Sequence, residues 1–355
     1  MSISRDLTQD LQQAVVDVAG KGGSVSLTGG GSKAFYGRSC EAEPLDVSGH
    51  RGIINYEPKE LVITARAGTP LAEIEAALAE QGQMLAFEPP YFGDTATLGG
   101  TVACGLSGPR RPHAGSARDF VLGCHIINGL GQALHFGGEV MKNVAGYDVS
   151  RLMCGAMGTL GLMLDISLKV LPRPAQEITL VQERSEADAI RLMNLWAGKP
   201  WPISAASYDG LKLHVRLCGS PKGVEAACGR IGGERLEESS RFWQGLREHQ
   251  LGFFDASIPL WRLSVAPVTG PMGLQGKQFI DWGGAQRWLL SDARADEVRT
   301  AAARAGGHAL LFRGGDREGD VFHPLPEPVM GLHRTLKQAF DPKGVFNPGR
   351  LYREL

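Results

Sequence analysis

Three separated runs rich in glycine constrain this 355-residue chain more than any other feature. They are Thr28-Gly29-Gly30-Gly31-Ser32-Lys33, then Thr97-Leu98-Gly99-Gly100 running on to Ser107-Gly108-Pro109-Arg110, and last Gly155 to Gly161 with Gly158, Thr159 and Leu162. Glycine lets the backbone approach other groups closely and adopt positive φ without steric cost. Successive backbone N–H groups in such turns form concavities that bind anions, phosphates among them. Three such approaches in one half of a chain point to one large phosphate-bearing ligand wrapped by a first domain.

Composition narrows the class. Glycine makes up 48 of 355 residues, near twice the usual ~7%. Yet 43% of residues are hydrophobic and 21% charged, so the excess reflects tight turns in a packed chain rather than disorder. A formal net charge of −1 gives no field to attract nucleic acid or an anionic membrane. No run approaches the roughly 20 apolar residues that span a bilayer, and the polar N-terminus is unlike a signal peptide. The reading is a cytoplasmic chain, at most peripheral at the inner membrane through its partners. Six cysteines form no C-x-x-C pair, so neither a zinc site nor an iron–sulfur cluster is expected, and no metal is assigned.

Along the chain, Leu7 to Ala19 has helical spacing and Ser24 to Leu27 reads as a strand leading into the first glycine run. Leu61 to Ala65 reads as a buried strand, and Thr69-Pro70 as the capped start, with Pro at its first position, of a helix through Leu71, Ile74 and Leu78. Two further strands are expected over Phe120 to Ile127 and Gly161 to Leu171, with a hairpin signal at Asn128-Gly129. The fold class is α+β with mixed sheets. Pro172-Arg173-Pro174 marks the best boundary, since neither a helix nor a central strand continues through it. All six tryptophans follow it. The expected domains are 1–172 for the ligand, 173–325 as a smaller α+β cap, and 326–355 as a helix and tail returning to the first.

No run fits G-x-G-x-x-G, and no G-x-x-x-x-G-K-[ST] loop is present. The order of the motifs instead resembles the FAD-linked oxidases of the p-cresol methylhydroxylase type, also called the vanillyl-alcohol oxidase superfamily. The first run resembles that family's pyrophosphate loop and the second its T-[LI]-G-G segment. Lys142-Asn143-Val144-Ala145-Gly146-Tyr147-Asp148, followed by Gly158-Thr159-Leu160-Gly161, resembles the third motif. Asp341-Pro342-Lys343-Gly344-Val345-Phe346-Asn347-Pro348-Gly349-Arg350 resembles the family's ending, which puts Asn347 and Arg350 among the expected cofactor residues. Leu106-Ser107-Gly108-Pro109-Arg110-Arg111 is similar to the FAD-binding subunits of bacterial glycolate oxidases.

That resemblance implies a two-subdomain FAD fold with a cap. It implies oxidation of glycolate to glyoxylate within a complex holding a longer FAD-containing sister subunit and an iron–sulfur subunit. Two alternatives stay open: a self-sufficient D-lactate-type dehydrogenase, and a non-redox assembly subunit. Family members that tether flavin often use a histidine in the first loop, and positions 28 to 33 have none, so the FAD is expected to be non-covalent. The histidine-rich cap segment of the family's 2-hydroxyacid dehydrogenases is reduced here to Gly307 to Asp316 with one histidine. His308 and Arg313 are therefore the candidates to hold an anionic substrate. Lys33, Arg110, Arg111 and Lys142 are cations within the motifs, with Lys33 assigned first to diphosphate.

Overall fold

The computed structural model describes residues 4–138 and 148–355, so Lys142 to Tyr147 of the third motif lies outside the described residues. The first unit is built on a five-stranded antiparallel sheet in the order Ile53–Glu57, Val62–Arg66, Leu162–Lys169, Val121–Ile127, Ala133–Gly137. Leu162–Lys169 takes the middle because nearly every position in it is buried, as a run apolar on both faces requires. One face is covered by helix Leu71–Glu80, whose Leu71, Ile74 and Leu78 are fully buried against Ile63 and Ile166. Helix Thr8–Gly20 covers the other, through Leu11 and Val15 on Ile127 and Leu164. The α+β class stands, but parallel pairing is confined, among the described residues, to Val25–Thr28 with Glu43–Asp46 and a bridge from Val25 to Phe346.

Pro70 sits at the N-cap of its helix rather than inside it, and no side chain caps that end. Thr69 is occupied elsewhere. Its hydroxyl accepts from the Gly52 N–H at 2.9 Å and so ties the turn to the neighbouring strand.

Beyond Pro172 the chain enters an eight-stranded antiparallel sheet running Glu234–Arg235, Gln176–Glu183, Lys212–Gly219, Ile203–Tyr208, Lys277–Asp281, Gln286–Leu290, Leu260–Ser264, His308–Arg313. Side chains alternate across a strand. Trp261, Leu263, Leu289, Ala309 and Leu311 thus face helix Ala295–Arg304, while Leu260, Trp288, Leu290, Leu310 and Phe312 face Tyr36, Leu106 and Met157 of the first unit. The two units meet through that aromatic face. Helix Glu327–Phe340 then carries the tail back to the first sheet.

Candidate functional site

The glycine runs converge on one cleft of about 960 Å³, open mouth included, lined by Thr28 to Ala34, Thr97, Gly99, Gly100, Cys104, Met157, Gly158, Gly161, Leu162, Asn347 and Arg350. The backbone N–H groups of Gly29, Gly30, Gly31, Ser32 and Lys33 donate to no acceptor among the described residues. Five consecutive free donors on a cleft wall suit an anion such as a diphosphate. The second run is different. Its N–H groups are used internally, Leu98 to the Thr69 carbonyl, Gly99 to the Ala67 carbonyl and Gly100 to the Thr97 hydroxyl.

Why glycine is needed also differs from run to run. A Cβ at Gly30 would collide with the Thr95 carbonyl, and one at Gly158 would meet the Asn347 amide nitrogen at 2.7 Å. These glycines serve the packing of loop on loop. Gly31, at φ +69, and Gly155, at φ +85, with nothing near their Cβ positions, are the ones whose backbone conformation alone requires glycine.

The C-terminal motif locks this arrangement. Asn347 Oδ1 accepts from the Leu27 N–H at 2.7 Å and its Nδ2 donates to the Met157 carbonyl at 2.6 Å, so one amide joins the strand before the first run to the third run. Arg350 donates to the carbonyls of Arg38, Ala34 and Tyr36 at 2.5–2.8 Å. Asp341 takes the Val345 and Phe346 N–H groups at 2.8 Å each, and Lys337 joins Asp341 to the Thr159 and Phe346 carbonyls. The tail is a clasp whose ends are hydrogen bonds to backbone.

A second, narrow cavity, about 330 Å³ only when its open mouth is included, lies where the two units meet, lined by Phe92, Leu106, Ser107, Gly108, Leu246, His249, Arg262, Asp281, Gln286, Trp288 and Phe312. Beside it sits a paired charge network. Glu88 bonds Arg110 at 3.1 Å and Arg216 at 2.8 Å, and Arg110 reaches Glu177 at 2.9 Å. Burial alone would raise the Glu88 carboxyl, but Arg216 and Arg110 outweigh it and hold it below the usual range. Asp281, fully buried and bonded at 2.7 Å to the Trp282 N–H, is pushed by burial up to about 7. His249 stacks on Phe254 at 3.9 Å, and burial with Arg313 and Arg262 near it holds the imidazole well below its usual range, hence neutral.

The FAD binding domain family matches residues 6–137. The glycolate oxidase subunit GlcE of Escherichia coli (strain K12) is 51% identical over 99% of this chain and 98% of its own length. The chain belongs to the GlcE family of FAD-linked oxidoreductases. A D-lactate dehydrogenase of Archaeoglobus fulgidus is 23% identical over 94% of this chain and 86% of that one. A solved alkyldihydroxyacetonephosphate synthase matches 96% of this chain and 74% of its own, at TM-score 0.68 and 16% identity, which shows a shared fold.

In this GlcE-family chain the expected cofactor residues divide. Thr28, Gly29, Gly30, Gly31, Ser32, Lys33, Thr97, Gly99, Gly100, Gly158, Gly161, Leu162, Asn347 and Arg350 line the cleft. Leu98 is buried in the core, and Thr159 bonds the Ala156 carbonyl at 2.7 Å away from the cleft. Ser107 and Gly108 line the interdomain cavity instead, Ser107 accepting from the Ala117 N–H and Gly108 from the Trp282 indole. Lys33 is buried, its ammonium on the Tyr91 carbonyl at 3.2 Å, with burial lowering its basicity. Arg110 is committed to Glu88 and Glu177, and Arg111 lies 4.3 Å over the Trp282 ring.

His308 and Arg313 do not line the cavity. His308 is exposed at the start of its strand, and Arg313 lies over the Phe35 and Phe92 rings at 4.6 and 5.6 Å. Of the polar residues that do line it, Arg262, His249 and Gln286 were not singled out in the sequence. The available signal was a charged or amide residue at an alternate position of an apolar strand, as in Leu260-Trp261-Arg262-Leu263. Both faces of this sheet are covered, so alternation alone does not say which face is which.

Proposed function

We propose that this chain holds FAD non-covalently as one subunit of a glycolate oxidase complex that converts glycolate to glyoxylate. Five consecutive N–H groups on a loop that lines the cleft carry this reading, because no acceptor among the described residues takes them and a diphosphate would. Bound FAD would supply the two-electron acceptor for a 2-hydroxy acid. The chain's own residues do the rest: Gly29 to Lys33 hold the diphosphate, while Asn347 and Arg350 keep the loops in register. Positions 28 to 33 offer no histidine for a covalent bond.

In the proposed complex this chain passes electrons to an iron–sulfur subunit. A longer flavin-containing subunit completes the proposed complex. No described helix is long and apolar enough to cross a membrane; in this proposal any contact with the membrane runs through the partner subunits. We place the functional divisions at 1–172 for the flavin, 173–325 for the cap and 326–355 for the clasp.

The test is the purified chain. A flavin absorption band released by acid precipitation, and a melting temperature that rises with added FAD, are expected, since a ligand bound only by the native state stabilises it. A colourless protein unmoved by FAD would contradict the reading.

A further inference from the structure

Among the described residues, the charged side chains that line the flavin cleft are Lys33 and Arg350, and no carboxylate lines it. Arg350 is spent on the Arg38, Ala34 and Tyr36 carbonyls. Lys33 is less well met. It is 7% exposed, and its ammonium reaches only the Tyr91 carbonyl at 3.2 Å and the Ser32 hydroxyl at 3.5 Å. No carboxylate stands within 4.0 Å of it among the described residues. Glu248, whose charge acts on it from farther off, is bonded to Arg247 at 2.7 Å. Burying an ammonium among neutral partners is costly, and burial lowers the basicity of this one. A negative charge in the cleft would offset that cost.

Bound FAD offers negative charge in two places. The diphosphate carries it always, whereas the flavin ring acquires it on reduction: two electrons and one proton leave the ring one unit more negative than before. The structure separates the groups that would answer each. The N–H row of Gly29 to Lys33 is already available to the diphosphate. The Lys33 ammonium is drawn away from that row onto the Tyr91 carbonyl. Tyr91 is itself pinned, because the Tyr91 and Phe92 N–H groups donate to Glu248 of the second unit at 3.0 and 2.8 Å. The ammonium is thus held at the side of the cleft where the second unit closes on the first, within electrostatic reach of Cys104 on the cleft wall.

We propose that Lys33 tunes the bound flavin, its fixed positive charge stabilising the reduced ring over the oxidised one and so raising the reduction potential. Contact with the ring is not required, since charges in a site that excludes water act on one another over longer distances than in water. Groups placed around a cofactor's ring set its electronics in this way. Gly29 to Ser32 and Asn347 are neutral and serve binding and loop position alone, so the first run would divide its work, with backbone for the phosphates and one side chain for the redox balance. The inference rests on the proposed function for the presence of FAD.

Reduction of the FAD-loaded full chain by xanthine and xanthine oxidase, followed by absorbance against a reference dye of known potential, tests this. Lys33→Gln keeps a donor for the Tyr91 carbonyl and removes the charge. Its flavin should be harder to reduce than the parent's by about 30 mV or more, a tenfold shift in a two-electron equilibrium. Lys33→Met should show the same loss and serves in place of a Gln variant that fails to fold. Lys33→Arg restores the charge and should recover most of the difference. Lys199→Gln, an exposed site on the second unit, should match the parent, because solvent and salt screen its charge.

A parent-like potential in Lys33→Gln and Lys33→Met, or a flavin easier to reduce, would overturn the proposal. Weaker FAD binding in those variants with the potential unmoved would overturn it as well, and would return the ammonium to the diphosphate. FAD titration of the parent in the same buffer keeps the two claims apart. A parent that binds no FAD ends the cofactor reading and this inference with it; a loaded parent whose potential ignores Lys33 ends this inference alone.

Discussion

The flavin cleft and the interdomain cavity are built on opposite plans. The cleft is a backbone site. Its donors are N–H groups of Gly29 to Lys33, and the side chains around it, Asn347 and Arg350 above all, bond to carbonyls and fix loop positions. The cavity is a side-chain site, assembled from Arg262, Gln286 and His249 on separate segments of the second unit, against Leu106 to Gly108 of the first. Backbone sites need local sequence signals at fixed offsets. Side-chain sites need only that a sheet bring distant residues to one face, which leaves little trace in any short stretch.

That contrast predicts that the two sites break independently, and the variants that show it can be ranked. The largest effect falls on the charge network beside the cavity. Glu88→Gln removes the carboxylate between Arg110 and Arg216 and leaves two buried guanidiniums short of a partner, so stability measured by urea unfolding should fall by about 3 kcal/mol. Next comes Gly30→Ala, whose Cβ would collide with the Thr95 carbonyl and displace the donor loop. Its affinity for FAD, followed by fluorescence, should fall by about tenfold or more, while Glu88→Gln, beside the cavity, leaves FAD affinity near the parent value. If FAD affinity fell equally in both variants, the division into two sites would be wrong.

Asn347→Ala should cost less, on the order of 1–2 kcal/mol, because it removes one amide spanning two loops and leaves the Leu27 N–H and Met157 carbonyl to water or to nothing. Reduced FAD affinity should accompany it, since the first and third runs lose their common tie. The smallest effect is pH-dependent. Burial raises the Asp281 carboxyl to about 7, with Glu88 raising it further and Arg216 and the Trp282 N–H opposing. The folded state therefore holds a proton that the unfolded chain has already released above its ordinary value near 3.8. Stability should fall as pH rises from about 4 through 7 and level off beyond. Asp281→Asn should flatten that loss, and unfolding curves at pH 5 and pH 8 would show it.

Much of the first unit was legible because its signals are local. The helix at Thr8–Gly20, the strands around Val62 and Leu162, and the approach of the tail to the first unit all follow from apolar spacing or from a motif. The roles inside the motifs were less so. Lys33 and Arg350 carry positive charge in glycine-rich surroundings, yet both donate to backbone carbonyls, because a long cation beside unsatisfied carbonyls finds its partners within the chain. Thr69-Pro70 has the composition of a helix start, but tertiary contact with Gly52 took the threonine hydroxyl. His308 and Arg313 drew notice through the segment that resembles the family's histidine-rich cap stretch, while the register sets Arg262 and Gln286 on the cavity and leaves His308, on the same face opposite Ser264, at the exposed strand end. Only the register of eight strands decides that.

The central claim is that the free N–H run of Gly29 to Lys33 holds FAD in this chain. Flavin fluorescence titration of the purified, flavin-stripped chain beside its Gly30→Ala variant tests it most directly. The account predicts saturation at one FAD per chain for the parent and marked weakening in the variant. Failure of the parent to saturate, or equal affinity in the two, would contradict it.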